Sequence, residues 1–161
     1  MRLRKGQSEL GMGIRLIDVD HKGIERLLGE VQATFAGGGS RSSTLDILGR
    51  LAAFTRTHFA LEEGLMAFTG YSGYAQHRRC HQHLLQELDG FTSLYSKDEL
   101  PLDRNSLRFL YSWFDAHRQN DDAQYAAWLA AQDVARGQID VTILPSNDGP
   151  VLNRRGTRES I

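Results

Sequence analysis

Apolar residues recur at steps of three and four along nearly the whole chain, the period of an α-helix with one buried face. In the first such segment Ile14, Ile17, His21, Ile24, Leu28, Val31 and Phe35 form one stripe with a histidine inside it. Asp18 is a candidate N-cap, and Gly37, Gly38, Gly39 and Ser40 end the helix, because successive glycines favour a turn. A second helix is predicted from near Ser43, with Asp46 as a weak capping-box variant, carrying Leu48, Leu51, Ala52, His58, Phe59, Glu62 and Met66. Gly70, Tyr71, Ser72 and Gly73 make the next break.

The third helix is predicted over residues 74–95, with His77, His81, Leu84, Leu85, Leu88 and Phe91 on its inner side. Residues 96–103 are polar and contain Pro101, which marks a loop. A fourth helix then carries Leu107, Leu110, Trp113, Phe114, His117, Tyr125, Trp128 and Leu129 and fades near Gly137. Four helices of roughly 20 to 30 residues joined by short loops predict an all-α, up-down-up-down four-helix bundle. The bundle with its N-terminal arm takes residues 1–136. Residues 137–161 are rich in Gly, Pro and Asn, lack periodicity and read as an irregular or disordered tail. Residues 141–144 are β-prone but isolated, and the tail offers either a strap across the bundle or a surface for a protein partner.

Composition narrows the function more by exclusion than by assignment. A chain of 161 residues suffices for one domain with a real core. A formal net charge of -1, from 19 basic and 20 acidic residues in no blocks, gives no reason to expect nucleic acid or an anionic membrane as partner. No apolar run approaches a membrane span. The basic start MRLRKGQSELGMG leads into no apolar segment, so no signal peptide is expected. The single cysteine, Cys80, has no internal partner, and a cytoplasmic location is the simplest expectation.

Against this background the histidines stand out. Five of the six fall into a pattern with carboxylates: His21, His58 with Glu62, His77 with His81, and His117 with a following aspartate. Helical positions four apart project from nearly the same face and can converge on one ion. Seven nitrogen and oxygen donors from four helices exceed one tetrahedral zinc and suit two adjacent ions sharing bridging carboxylates. His58 with Glu62 and His77 with His81 have a plainer reading as surface pairs. His83 lies about 200° around the helix from His81 and should face water. On the fourth helix Asp121, four residues from His117, lies at about 40°, and Asp122, five away, at about 140°. Spacing alone leaves the choice open.

The segments GIRLIDVDHK, HFALEEGLM, YAQHRRCHQHLL and WFDAHRQNDDAQY resemble the bacterial hemerythrins in order and spacing, over roughly residues 8–132. The resemblance implies a non-haem di-iron centre with a bridging oxo or hydroxo group inside a four-helix bundle, binding O2 reversibly as hydroperoxide at one iron. It implies that His77, His81 and His117 hold one iron, that His21 and His58 hold the other, and that Glu62 and Asp122 bridge them. The family pattern H-x4-D-x2-Y selects Asp122 and Tyr125 here. A histidine-rich centre can stop short of the high-valent iron that carboxylate-rich centres support, and the paired E-x-x-H motifs of ferritin-like proteins are absent.

Several residues keep two readings. Phe59, Met66, Trp113 and Trp128 either line a dry pocket or are core. Cys80 reads as a small buried filler. Glu63 is expected at a helix interface or against a ligand, not on metal. Glu25 lies one turn after His21 and is a possible extra ligand, the other reading being a solvated glutamate pairing with Lys22 or Arg26. Carriage, storage or sensing of O2, more than an enzyme, is the expected function. An alternative is a di-iron oxidoreductase processing peroxide or NO, which Glu25 on the metal would favour. A zinc or mixed-metal site, or a bundle used only for protein interaction, is a third reading.

Overall fold

Small polar residues and glycines set the ends of the helices. In the computed structural model, which describes residues 15–136, α1 spans Arg15–Ala36, α2 Arg41–Thr69 and α3 Tyr74–Ser96. Ser40 caps α2, its Oγ accepting from the Ser43 N–H at 3.1 Å, so the helix starts slightly earlier than its predicted position near Ser43 and Asp46 takes no part in the cap. Asp18 likewise lies in the first turn of α1, not at its cap, where its charge still suits the helix dipole. Gly70 ends α2 at φ 74°, a left-handed conformation that glycine adopts without a Cβ penalty.

The fourth rod differs from the single α-helix that the periodicity predicts. Asp103 caps it, accepting from the backbone N–H groups of Asn105 and Ser106 at 2.8 Å each. It then runs as α4 (Arg104–His117), a single π turn (Arg118–Asp122) and α5 (Ala123–Arg136). The flanking residues His117 and Ala123 keep right-handed helical dihedrals, so the rod continues through the wider turn. A π turn bonds i to i+5 and shifts every later residue around the axis, without changing the apolar spacing on either side. Among the described residues there is no strand, and the predicted N-terminal arm, the tail over 137–161 and its β-prone stretch lie outside them.

Each helix packs on its chain neighbours, and α4 returns to α1, closing the ring. Short connections make consecutive helices antiparallel. Two apolar clusters fill the interior. The larger is built around Leu28, Leu48, Leu51, Leu88, Leu110 and Trp113; the smaller consists of Ile17, Met66 and Tyr125, with Tyr71, Trp128 and Leu129 packed against it. The predicted inner stripes supply most of both, with Leu27, Ile47 and Tyr95 added to them; Phe35, near the end of α1, is 38% exposed, and Ile14 lies outside the described residues. Between the clusters the bundle interior is polar. No helix among the described residues is long and apolar enough to cross a membrane.

Because Leu48 is fully buried in the larger cluster, Leu48→Ala removes apolar contacts and leaves a cavity, at an expected cost of about 3 kcal/mol. Val19, exposed on α1, is expected to tolerate alanine within about 0.5 kcal/mol. Urea denaturation of the two variants measures the difference.

Candidate metal centre

Helical spacing places the donors, one or two from each rod. α1 contributes His21, α2 His58 and Glu62, α3 His77 and His81, α4 His117 and the π turn Asp122, and all seven are buried. The ligating atoms of Glu62, His77, His81, His117 and Asp122 lie within 4.8 Å of one another. Asp122 is central: its Oδ1 is 2.9 Å from His117 Nε2 and 3.2 Å from His77 Nε2, while its Oδ2 is 3.1 Å from His21 Nε2. Glu62 Oε2 is 3.3 Å from His81 Nε2 and 3.9 Å from the Nε2 atoms of both His58 and His77. His21 and His58 meet edge to face with ring centroids 4.8 Å apart. Asp122 thus turns one oxygen to His77 and His117 and the other to His21, while a single oxygen of Glu62 approaches His58, His77 and His81.

The π turn dissolves the choice between the two aspartates. On a uniform α-helix Asp122 would point about 140° away from His117. The extra residue in the π turn swings it back to the Nε2 side, while Asp121 stays on the opposite edge of the same ring, its Oδ2 3.3 Å from His117 Nδ1. Both acids therefore address His117, from its two nitrogens. Sequence spacing had offered them as competitors and missed that role for Asp121.

Carboxylates also stand behind other rings. Glu63 Oε1 is 3.0 Å from His81 Nδ1, and its Oε2 is met by Arg78 Nε at 3.4 Å; the side chain sits against a donor histidine and off the cluster. Asp20 Oδ2 is 3.6 Å from His58 Nδ1, a role sequence reasoning had also missed; the readable trace was only its place beside His21. The Cys80 thiol donates to Asp121 Oδ1 at 3.5 Å and does not join the cluster. His83 is exposed, 3.6 Å from Glu87. Glu25 does not join the cluster either. Its carboxylate accepts from Arg118 Nη1, across the seam between α1 and the π turn, and pairs with neither Lys22 nor Arg26.

Apolar rings wall the site. Phe59 stacks on His81 with centroids 3.7 Å apart and planes 6° from parallel, and meets His117 edge-on at 5.2 Å. Phe114 meets His21 edge-on at 5.5 Å. Trp113 belongs to the larger apolar cluster, its indole N–H donating to the Leu84 carbonyl at 3.0 Å. Met66, Tyr125 and Trp128 belong to the smaller one, with the Tyr125 hydroxyl 3.1 Å from Thr69 Oγ1.

The donor set calls for a cation. His81 and His117 each turn Nδ1 to a carboxylate, which selects the Nδ1–H tautomer when the ring is neutral. Their Nε2 lone pairs then face each other at 3.1 Å, a repulsive arrangement unless positive charge lies between them. Both oxygens of Glu62 and of Asp122, and Nε2 of His21, His58 and His77, are buried without a hydrogen-bond partner among the described residues. Unmade bonds on so many buried polar atoms are costly. With metal–nitrogen bonds of about 2.1 Å, two donors of one ion sit at most about 4.2 Å apart, close to the observed spread. Imidazoles with carboxylates suit borderline transition metals, iron among them.

Comparison with known proteins agrees with the geometry. Residues 12–129 match the model of the Hemerythrin HHE cation binding domain. The chain is 27% identical over 149 residues to a bacteriohemerythrin of Pseudomonas aeruginosa (strain LESB58), covering 92% of each. It is 31% identical over 115 residues to a myohemerythrin of Sipunculus nudus, covering 71% of this chain and 84% of that one. A crystal structure of wild-type hemerythrin is similar in fold, with TM-score 0.70 and 25% identity over 81% of this chain and 99% of that one.

Without a metal, protons take the place of the cation. Burial pushes Glu62 up to about 7, helped by the charge of Asp122. Burial would raise Asp122 as well, but the histidines against its oxygens hold it well below the usual carboxylate range. Burial would lower His117, yet the Asp121 and Asp122 carboxylates outweigh it and raise the ring to about 9. His81, desolvated and beside His117, is pushed down to about 3. The folded His117 value lies above that of an unfolded histidine, so its contribution is full below about 6.5 and lost as the pH rises through about 9. Glu62, raised from 4.5 to about 7, acts in the same direction up to that pH, and His81 acts only below this window. The metal-free chain is therefore expected to lose stability between about pH 6.5 and 9, by up to about 3 kcal/mol. Urea midpoints at pH 6.5, 7.5 and 9 measure this; a rising midpoint would contradict it.

Proposed function

The chain belongs to the hemerythrin family, and on that footing we propose that its centre is a non-haem di-iron site, closed by a bridging oxo or hydroxo group, that binds O2 reversibly. His77, His81 and His117 would hold one iron, His21 and His58 the other, with Glu62 and Asp122 bridging. The observation that carries this reading is the placement of Asp122, with Oδ1 toward His77 and His117 and Oδ2 toward His21. One carboxylate facing two separate groups of imidazoles has the arrangement of a bridge. The three-histidine side has the fuller donor set, so the two-histidine side is the one with room for O2.

Iron would supply the electrons on which reversible O2 binding draws. The protein's part is to hold the donors and keep water away. Glu63 and Asp121 fix the ring orientation and tautomer of His81 and His117. Phe59 and Phe114 cover ring faces and edges with apolar surface, and the two apolar clusters close the bundle above and below the centre. A dry, pre-shaped site limits the entry of water and protons, which would favour release of O2 over its consumption. With this proposal goes the division into a bundle over residues 1–136 and a tail over 137–161, the tail offering a surface to a protein partner.

Metal analysis and absorption spectra test the reading. Two irons per chain are expected, with near-ultraviolet charge-transfer bands in air that vanish on deoxygenation and return with O2. Bands that bleach or form once, without cycling, would point to the oxidoreductase alternative, and zinc in place of iron would remove both.

A further inference from the structure

Among the described residues two side-chain contacts are seen between the π turn and α1, one within the centre and one outside it. The first is Asp122 Oδ2 with His21 Nε2 at 3.1 Å. The second is the ion pair between Arg118 and Glu25. Arg118 is the first residue of the π turn, between His117 and Asp122. Its side chain is only 6% exposed, and its guanidinium lies 5.6 Å from the centre of the Phe114 ring, which in turn touches His21. Glu25, 37% exposed, stands one turn after His21 on α1. A charged contact of a buried arginine is costly to break, so this contact is one the π turn does not readily give up.

We propose that the Arg118–Glu25 pair is a positioning latch: it fixes the π turn against α1 and so sets the separation between Asp122 and His21, on which the two-histidine half of the centre depends. The inference rests on the di-metal reading above. It also gives Glu25 a role that acts through Arg118 and not on the metal. The two-histidine half has fewer donors of its own, so a change in the Asp122–His21 separation weakens it first. The three-histidine half shares Asp122 but takes its other four donors, Glu62, His77, His81 and His117, from α2, α3 and α4, so it has more contacts of its own to hold an ion.

Cobalt(II) titration of the metal-free chain tests this without O2. The wild type is expected to take up two ions per chain, with visible ligand-field bands growing in two steps. In Glu25→Gln and in Arg118→Met the second step is expected to weaken by about 10- to 100-fold with its band shape altered, as for partners that orient metal ligands, while the first step keeps its midpoint. The double variant should be no worse than the weaker single one, because both remove the same contact. Leu48→Ala, destabilised in the distant apolar cluster, should keep both steps, which separates positioning from general loss of stability; circular dichroism confirms the fold of each variant. Two wild-type steps in either latch variant, or losses that add in the double variant, would overturn the latch and leave the di-metal reading standing. Fewer than two ions in the wild type would overturn that reading, and the latch with it.

Discussion

Everything in this bundle is arranged around one electrostatic demand: imidazole lone pairs and carboxylate oxygens are packed about 3 Å apart where no water can reach them. The His81 and His117 Nε2 atoms at 3.1 Å, and Asp122 between His21, His77 and His117, can be accommodated only by positive charge among them. A metal supplies it directly. In the metal-free chain, protons on His117 and Glu62 supply part of it: the Asp121 and Asp122 carboxylates raise His117, and burial with the charge of Asp122 raises Glu62. The polar layer therefore gives up stability that an apolar layer would provide, and the apolar clusters on either side carry the fold.

The same demand explains why the fourth rod is not a plain α-helix. His117 must meet the other imidazoles while an aspartate from the same rod reaches between them and another stands behind the ring. An α-helix points residues 117 and 121 one way and residue 122 another. One π turn satisfies all three at the cost of a less regular backbone, a device found often at functional sites. Arg118, carried at the start of that turn, then becomes available to α1.

Much of this was legible in the sequence because the helical period governs both core and ligands. The His58–Glu62 and His77–His81 spacings are ordinary α-helical neighbours, so periodicity alone brought each pair to one face, and His83 fell outside for the same reason. The π turn was not legible, since its residues, Arg-Gln-Asn-Asp-Asp, are polar and carry no signature of a widened turn. Without it the two aspartates looked like rivals. The partner of Glu25 was equally hidden: Arg118 lies 93 residues away, and local spacing suggested only Lys22 and Arg26. Long-range pairing across a seam depends on how the rods rotate against one another, which the π turn itself alters.

The distribution of negative charge bears on what the centre can do. Among the described residues two carboxylates, Glu62 and Asp122, lie within the donor cluster, and Glu63 and Asp121 stand one imidazole further out, at Nδ1 of His81 and His117. There they would raise the basicity of the rings without placing anionic oxygen on a bound metal. Glu25 follows the same rule by a different route. One turn from His21, it is near enough to be a concern, and Arg118 holds its carboxylate at the seam. A centre with its anions kept one group away stays rich in imidazole, and the proposed pair of irons held so would be less able to reach the high-valent states that oxidise substrates. On the proposed di-iron reading, the arrangement of these outer acids, together with the seven donors, would favour binding O2 over consuming it.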